Sequence, residues 1–241
     1  MCGLAGFLGG IASQDKRGDE ALLTRMTDTI VYRGPDDMGC WSDVPNRIGL
    51  GHRRLSILDL SIAGHQPMES LSARYVIAFN GEIYNHLELR KELDSCQLSL
   101  PRKGLSIEWR GNSDTESLLA GFDAWGIEGT VDRITGMFAF AVWDRQSKTL
   151  TLARDRIGEK PLYYGWQGRG NDAVFLFGSE LKALKVHPAF ENNINRGAIS
   201  LQLRHNCIPA PHSIYEGIYK LRPGCLLSVS LEDRSPKIST F

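Results

Sequence analysis

The chain has 241 residues, and Lys+Arg and Asp+Glu both number 28, so the formal net charge is zero; with no basic cluster, this excludes a nucleic-acid or membrane-surface protein. Hydrophobic residues at 42% and charged residues at 23% suit one large globular domain or two small ones. No apolar run reaches membrane-span length, and the first residues lack the basic and apolar regions of a signal peptide.

The first stretch is Met1-Cys2-Gly3-Leu4-Ala5-Gly6-Phe7. Cys2 is small enough for the initiator methionine to be trimmed, which would put thiol and α-amine on one carbon. An N-terminal amine titrates near 8 and can serve a nucleophile as base, and a cysteine thiol titrates near 8.5. A cysteine at position two also occurs by chance. The apolar run Leu4–Leu8 reads as a buried strand that pins the terminus in the core. Five cysteines, an odd number with no C-x-x-C pair, form neither a disulfide framework nor a zinc site. The six histidines show no metal-binding spacing, so no metal is expected.

Asp19 is a plausible N-cap for a helix carrying Leu22, Leu23, Met26 and Ile30. That helix stops at Arg33-Gly34-Pro35-Asp36-Asp37. Ile48–His52 reads as a strand. Arg53-Arg54 follows, either a solvated pair or a bidentate carboxylate holder at a strand end. A loop, Ala63–Met68, leads to the strand Tyr75–Phe79. Asn80-Gly81 then reads as a plain tight turn, or as two donors for a developing oxyanion, the Asn80 amide and the Gly81 N–H. A short helix spans His86–Leu93, and residues 94–111 read as irregular and exposed.

Ser113-Asp114-Thr115-Glu116 fits a capping box before Leu118, Leu119, Phe122 and Trp125. Asp114 either favours the helix N-terminus or faces a substrate ammonium. Gly136–Asp144 is apolar on both faces and predicts a central strand covered on both sides. Thr149–Ala153 pairs with it, Arg154–Tyr164 is a charged loop entering a strand, and Val174–Phe177 is a further strand. A short helix follows over Ser179–Lys185. Asn195 caps a helix through Leu203, 205–224 is an extended covering arm, and Glu232–Phe241 is polar without a core pattern. The mix predicts largely antiparallel stacked sheets with helices outside, an α+β fold.

The ordered set Cys2-Gly3-Leu4-Ala5-Gly6, Arg33-Gly34-Pro35-Asp36, His52-Arg53-Arg54-Leu55-Ser56-Ile57, Asn80-Gly81-Glu82-Ile83-Tyr84-Asn85, Ser113-Asp114-Thr115-Glu116, Gly136–Phe140 and Arg154-Asp155 with Lys160–Tyr164 resembles a known domain. It is similar to the glutaminase domain of class II glutamine amidotransferases, which are N-terminal-nucleophile hydrolases. Within them it looks most like glutamine-dependent asparagine synthetases. The resemblance covers about residues 2–225. It implies a four-layer αββα sandwich, with a glutaminase domain over 2–190 and a covering arm and linker over 191–241.

It also implies roles. Cys2 would attack the side-chain amide of glutamine, with Asn80 and Gly81 as the oxyanion hole. Arg54 and the backbone of Leu55, Ser56, Ile57 and Leu58 would hold the α-carboxylate. Glu82 and Asp114 would face the α-ammonium. The glutaminase step would need no cofactor. ATP and Mg would serve only a synthetase domain, whose S-G-G-x-D-S loop does not occur in this sequence. The partners implied are glutamine and that C-terminal synthetase domain, with a homodimer as an option, in the cytoplasm. Two other readings stand beside this one: the same glutaminase serving another carboxylate or sugar acceptor, and a non-catalytic regulatory module. The second predicts loss of some among Cys2, Arg54, Asn80, Gly81 and Asp114, and all five are present.

Overall fold

The structure, a computed structural model, describes residues 1–10, 15–97 and 108–241. Its elements begin with β1 (Gly3–Gly9), α1 (Lys16–Asp28), β2 (Asp37–Asp43), β3 (Ile48–Arg54), β4 (Met68–Glu69) and β5 (Tyr75–Ile83). They continue with α2 (His86–Gln97), α3 (Asp114–Val131), β6 (Gly136–Asp144), β7 (Thr149–Arg154), β8 (Tyr163–Gln167) and β9 (Val174–Gly178). The last are α4 (Leu181–Lys185), α5 (Arg196–His205), β10 (Tyr219–Lys220), β11 (Cys225–Val229) and β12 (Lys237–Thr240).

Two six-stranded sheets form, ordered β10-β8-β9-β1-β3-β2 and β12-β11-β7-β6-β5-β4. The pairings along both sheets are antiparallel. Alternation along each strand sorts side chains into three layers of core. Leu4, Leu8, Leu50, Val76, Ala78, Ala139, Trp143 and Leu227 fill the space between the sheets. Ala5, Phe7 and Leu176 face outward from the first sheet onto Leu23 and Met26 of α1, Ile30 just after it, and Ala183 and Leu184 of α4. Ile77, Phe79, Phe138 and Phe140 face outward from the second onto Leu89 of α2 and Leu118 and Phe122 of α3. The result is the expected α+β sandwich in four layers. Burying each large apolar side chain contributes roughly 1.5–3 kcal/mol, so this triple core dominates stability. Gly136–Asp144 lies between β5 and β7 with both faces covered, as its unbroken apolar run implies. Among the described residues no helix is long and apolar enough to cross a membrane.

Several elements differ from the sequence reading. Asp15, not Asp19, caps α1, its Oδ1 accepting from Gly18 N–H at 2.8 Å. Asn80-Gly81 is no turn: β5 runs through it, paired with Ala139 and Phe138 of β6. The helix from His86 extends to Gln97, so 94–97 is helical; 98–107 lies outside the described residues. Ser113 does cap α3, accepting from Thr115 N–H at 3.2 Å, but Glu116 does not close a capping box. Its carboxylate accepts instead from the N–H groups of Arg110 and Gly111, at 2.8 and 3.2 Å.

The stretch 191–241, read as an arm and linker, is built into the body. β10 joins the first sheet, and β11 and β12 join the second. Leu227 of β11 is fully buried between the sheets. Even the polar end, 237–240, pairs with β11 along one edge while its side chains stay exposed.

Candidate active site

Cys2 stands immediately before β1, a strand flanked by β3 and β9. The terminus is pinned from several sides. Leu4 N–H donates to Ser179 Oγ at 3.0 Å, and Arg33 Nη1 donates to Cys2 O at 3.4 Å. Arg33 is itself held by Glu180, which Tyr32 also engages. Leu4 and Ala78 face each other's sheets; Cys2 lies two residues before Leu4 and Asn80 two residues after Ala78. Alternation puts both side chains on the inner face, at the end where the sandwich opens.

There they line one pocket with Arg54, Leu55, Ile57, Leu58, Asp59, Gln66, Gly81, Glu82, Asp114 and Lys160. Every expected site residue but Ser56 is in this set. The Ser56 backbone N–H is taken by Asp36 Oδ2 at 2.8 Å. Ile57 and Leu58 line the pocket from a loop and are largely exposed.

The Cys2 sulfur accepts from Leu55 N–H at 3.3 Å. Burial pushes the thiol up; the Leu55 N–H, the chain's terminal ammonium and Arg54 pull it down, and Asp114 pushes it up again. Met1 precedes Cys2 and is exposed, and its sulfur lies 3.3 Å from Lys160 Nζ. Lys160 is delivered by the Arg154–Tyr164 loop, which acts as scaffold. Asp155 collects the N–H groups of Gly158, Glu159 and Lys160 at 2.6, 3.0 and 3.1 Å. Arg154 Nε donates to Lys160 O at 2.8 Å.

In an antiparallel ladder a residue's N–H and C=O point to one edge, and the edge alternates along the strand. On β5 the outer edge belongs to Ile77, Phe79, Gly81 and Ile83. Phe79 N–H donates to Gln66 Oε1 at 2.7 Å and Ile83 N–H to Asp114 Oδ2 at 2.9 Å. Gly81, between them, presents its N–H along the same edge, at the pocket. A Cβ on Gly81 would lie 2.7 Å from Phe138 Cα and nearer still to Met137 O, so the β5–β6 approach requires glycine here. The Asn80 side chain is 1% exposed, and its Nδ2 finds no hydrogen-bond partner among the described residues. A buried amide N–H without a partner is costly, and here it sits in the pocket wall.

Arg54, at the end of β3, is buried and donates to Asp59 O and, at 3.0 Å, to Ser61 O. Its guanidinium thereby fixes the loop that follows it. Gly64 passes so close that a Cβ would sit 2.5 Å from Arg54 Cζ. Asp114, in the first turn of α3, is 5% exposed. Burial pushes its carboxyl up to about 6, Glu82 adding to the rise and the N–H groups of Ile83 and Thr115 opposing it. A guanidinium and a carboxyl thus share one pocket with a thiol and two N–H donors. That arrangement can hold a zwitterion and polarise an amide or ester carbonyl beside the sulfur.

The sequence reading missed Gln66, Lys160 and His52. His52 is fully buried, burial pushes its ring down to about 4, and Nε2 lies 2.8 Å from Phe79 O. The only sequence signal was their place inside or beside the motifs.

Comparison with known proteins agrees with this architecture. The glutamine amidotransferase domain model matches residues 1–239. The chain is 36% identical over 233 residues to asparagine synthetase (glutamine-hydrolyzing) 3 of Bacillus subtilis, covering 95% of this chain and 35% of that protein. It is 37% identical over 246 residues to asparagine synthetase (glutamine-hydrolyzing) 2 of the same organism, covering 100% of this chain and 30% of the relative. The chain therefore spans about a third of these relatives' length. Among solved structures, glutamine phosphoribosylpyrophosphate amidotransferase from B. subtilis superposes with a TM-score of 0.65 at 16% identity, covering 99% of this chain and 49% of that one; this likeness concerns the fold alone. With the family model spanning almost every residue and the sandwich matching, the chain belongs to the glutamine amidotransferase domain family.

Proposed function

We propose that this chain hydrolyses glutamine through Cys2 and supplies the ammonia to a linked ATP-dependent asparagine synthetase. The observation that carries the reading is the orphaned Asn80 Nδ2 beside Gly81, in one pocket with Cys2, Arg54 and Asp114. Once Met1 is removed, the Cys2 α-amine takes the thiol proton and the sulfur attacks the side-chain amide carbon. The carbonyl oxygen becomes an oxyanion and accepts from Asn80 Nδ2–H and Gly81 N–H. The amine returns its proton to the departing nitrogen, and ammonia leaves a γ-glutamyl thioester. Water attacks that thioester, the C–S bond breaks, and glutamate departs as the thiol is restored. Arg54 and the pocket-lining loop residues Leu55, Ile57 and Leu58 take the α-carboxylate, the Ser56 N–H being taken by Asp36; Asp114 and Glu82 take the α-ammonium. Requiring both charges selects free glutamine over a glutamine inside a peptide.

The glutaminase step uses no cofactor in this scheme; ATP and Mg belong to the synthetase part. The relatives' names and greater length support asparagine as the product. A free thiol at Cys2 suits a reducing compartment, which favours the cytoplasm. The test is glutamate release from glutamine, with intact mass recorded on the same sample. Release with Met1 absent, lost in Cys2→Ala and in protein carrying residues ahead of Cys2, is expected. Wild-type turnover by either altered protein would overturn the reading.

A further inference from the structure

β4 covers the outer edge of β5 only at Val76 and Ile77. Beyond it no strand among the described residues satisfies the edge, and side chains take over. The backbone of Phe79 is gripped on both groups: its N–H donates to Gln66 Oε1 at 2.7 Å, and its O accepts from His52 Nε2 at 2.8 Å. His52 comes from β3, in the opposite sheet. Its ring is held neutral by burial, so the bond to a carbonyl puts the remaining proton on Nε2. Gln66 is 5% exposed and spends its other end on α3, Nε2 donating to Thr115 Oγ1 at 3.2 Å. Thr115 is the neighbour of Asp114, and Phe79 that of Asn80. One glutamine side chain therefore spans from the residue before the donor pair to the residue after the buried carboxyl.

We infer that Gln66 and His52 are positioning residues for glutamine hydrolysis: they clamp the Phe79 peptide so that Asn80 Nδ2 and Gly81 N–H aim at the oxyanion, and Gln66 sets their distance from Asp114. This rests on Asn80 and Gly81 being the oxyanion donors. Such donors act only when held on the spot where charge develops, and a misplacement of about 1 Å can lower a rate roughly 100-fold. A free strand edge would allow that drift. Two side chains from different elements prevent it without touching the reacting carbon.

The test compares Gln66→Met, Asn80→Ala and their double variant on the chain that has lost Met1. Glutamate release gives kcat and KM, and alkylation of Cys2 by iodoacetamide, which needs the thiolate but no oxyanion donor, reports the nucleophile separately. Gln66→Met is expected to lower kcat about 10–100-fold, with alkylation unchanged within about 2-fold. The double variant should lose less than the product of the two single losses, because both changes act on one donor pair and only the Gly81 N–H is left for the clamp to position. His52→Leu should lower kcat similarly, and His52→Gln, which keeps an N–H donor, should recover most of the loss. A Gln66→Met enzyme with wild-type kcat, alkylation falling in step with kcat, or losses that multiply in the double variant would overturn the inference. Should Gln66→Met not fold, equal kcat in the two His52 variants overturns it. Wild-type turnover by Asn80→Ala would sink the oxyanion reading itself, and this inference with it.

Discussion

The N–H of Ile83 donates to Asp114 Oδ2 at 2.9 Å, fastening the end of β5 to the first turn of α3. The strand that offers donors to the substrate and the carboxyl proposed to hold its ammonium are thus one mechanical unit. The bond also favours the ionised carboxyl, yet burial wins and the group titrates near 6.

A pH dependence follows. Only ionised Asp114 attracts an ammonium, so KM for glutamine should rise as pH falls through about 6. Asp114→Asn should abolish that limb and lower kcat/KM about 10–100-fold. Stability has the opposite sign. The folded value lies above the unfolded value of about 4, so ionising Asp114 destabilises the empty protein; the penalty is absent below about pH 4 and complete above about pH 6. Asp114→Asn should therefore melt above wild type at pH 7, with the gap closing towards pH 4. Melting curves across that range check this.

Asn80→Ala should separate function from stability. It removes a proposed oxyanion donor, so kcat should fall about 10²–10³-fold. It also removes a buried N–H that has no partner among the described residues, which offsets the small cavity left behind. Urea unfolding should then differ from wild type by no more than about 1 kcal/mol.

Gly81→Ala should do the reverse of a clean probe. The new methyl meets Phe138 Cα and Met137 O, backbone atoms that can yield only if β5 and β6 part. A destabilisation of about 1–3 kcal/mol is expected, with loss of glutaminase activity. Urea unfolding with the activity assay measures both.

Arg54→Lys tests the loop. Arginine reaches Asp59 O and Ser61 O from separate nitrogens, which a single ammonium cannot match while also taking a carboxylate. KM should rise at least about 10-fold, and the segment 55–62 should be cut faster in limited proteolysis.

Much of this was legible in the sequence because period-2 and apolar-run patterns report burial directly. Gly136–Asp144 could only be a strand covered on both faces. The end of α1 was not legible: the helix stops at Asp28, and a separate turn over Val31–Arg33 precedes Gly34-Pro35, so the proline marks the end of that turn and not of the helix. Asn80-Gly81 misleads because the dipeptide's turn preference is local and about 1 kcal/mol in scale, whereas nine residues of pairing with β6 outweigh it. Glu116 misleads likewise: the local box competes with the Arg110 and Gly111 amides and the Arg90 and Arg110 guanidinium groups, and these win.

The sequence by itself determined the α+β layering, the ordered motifs that carry the family resemblance, and the candidates Cys2, Arg54, Asn80, Gly81, Glu82 and Asp114. These follow from residue type and short spacing, which a chain cannot hide. Only the tertiary structure decided that the Ser56 N–H goes to Asp36 and Ser56 stays out of the pocket lining, that 219–240 completes both sheets, and that Gln66 and His52 grip Phe79. Each of these depends on which edge of a strand is left unpaired after the sheets assemble. Buried N–H and C=O groups on such an edge must find partners, and the partner is chosen by proximity in space, for which no spacing in the chain is a guide.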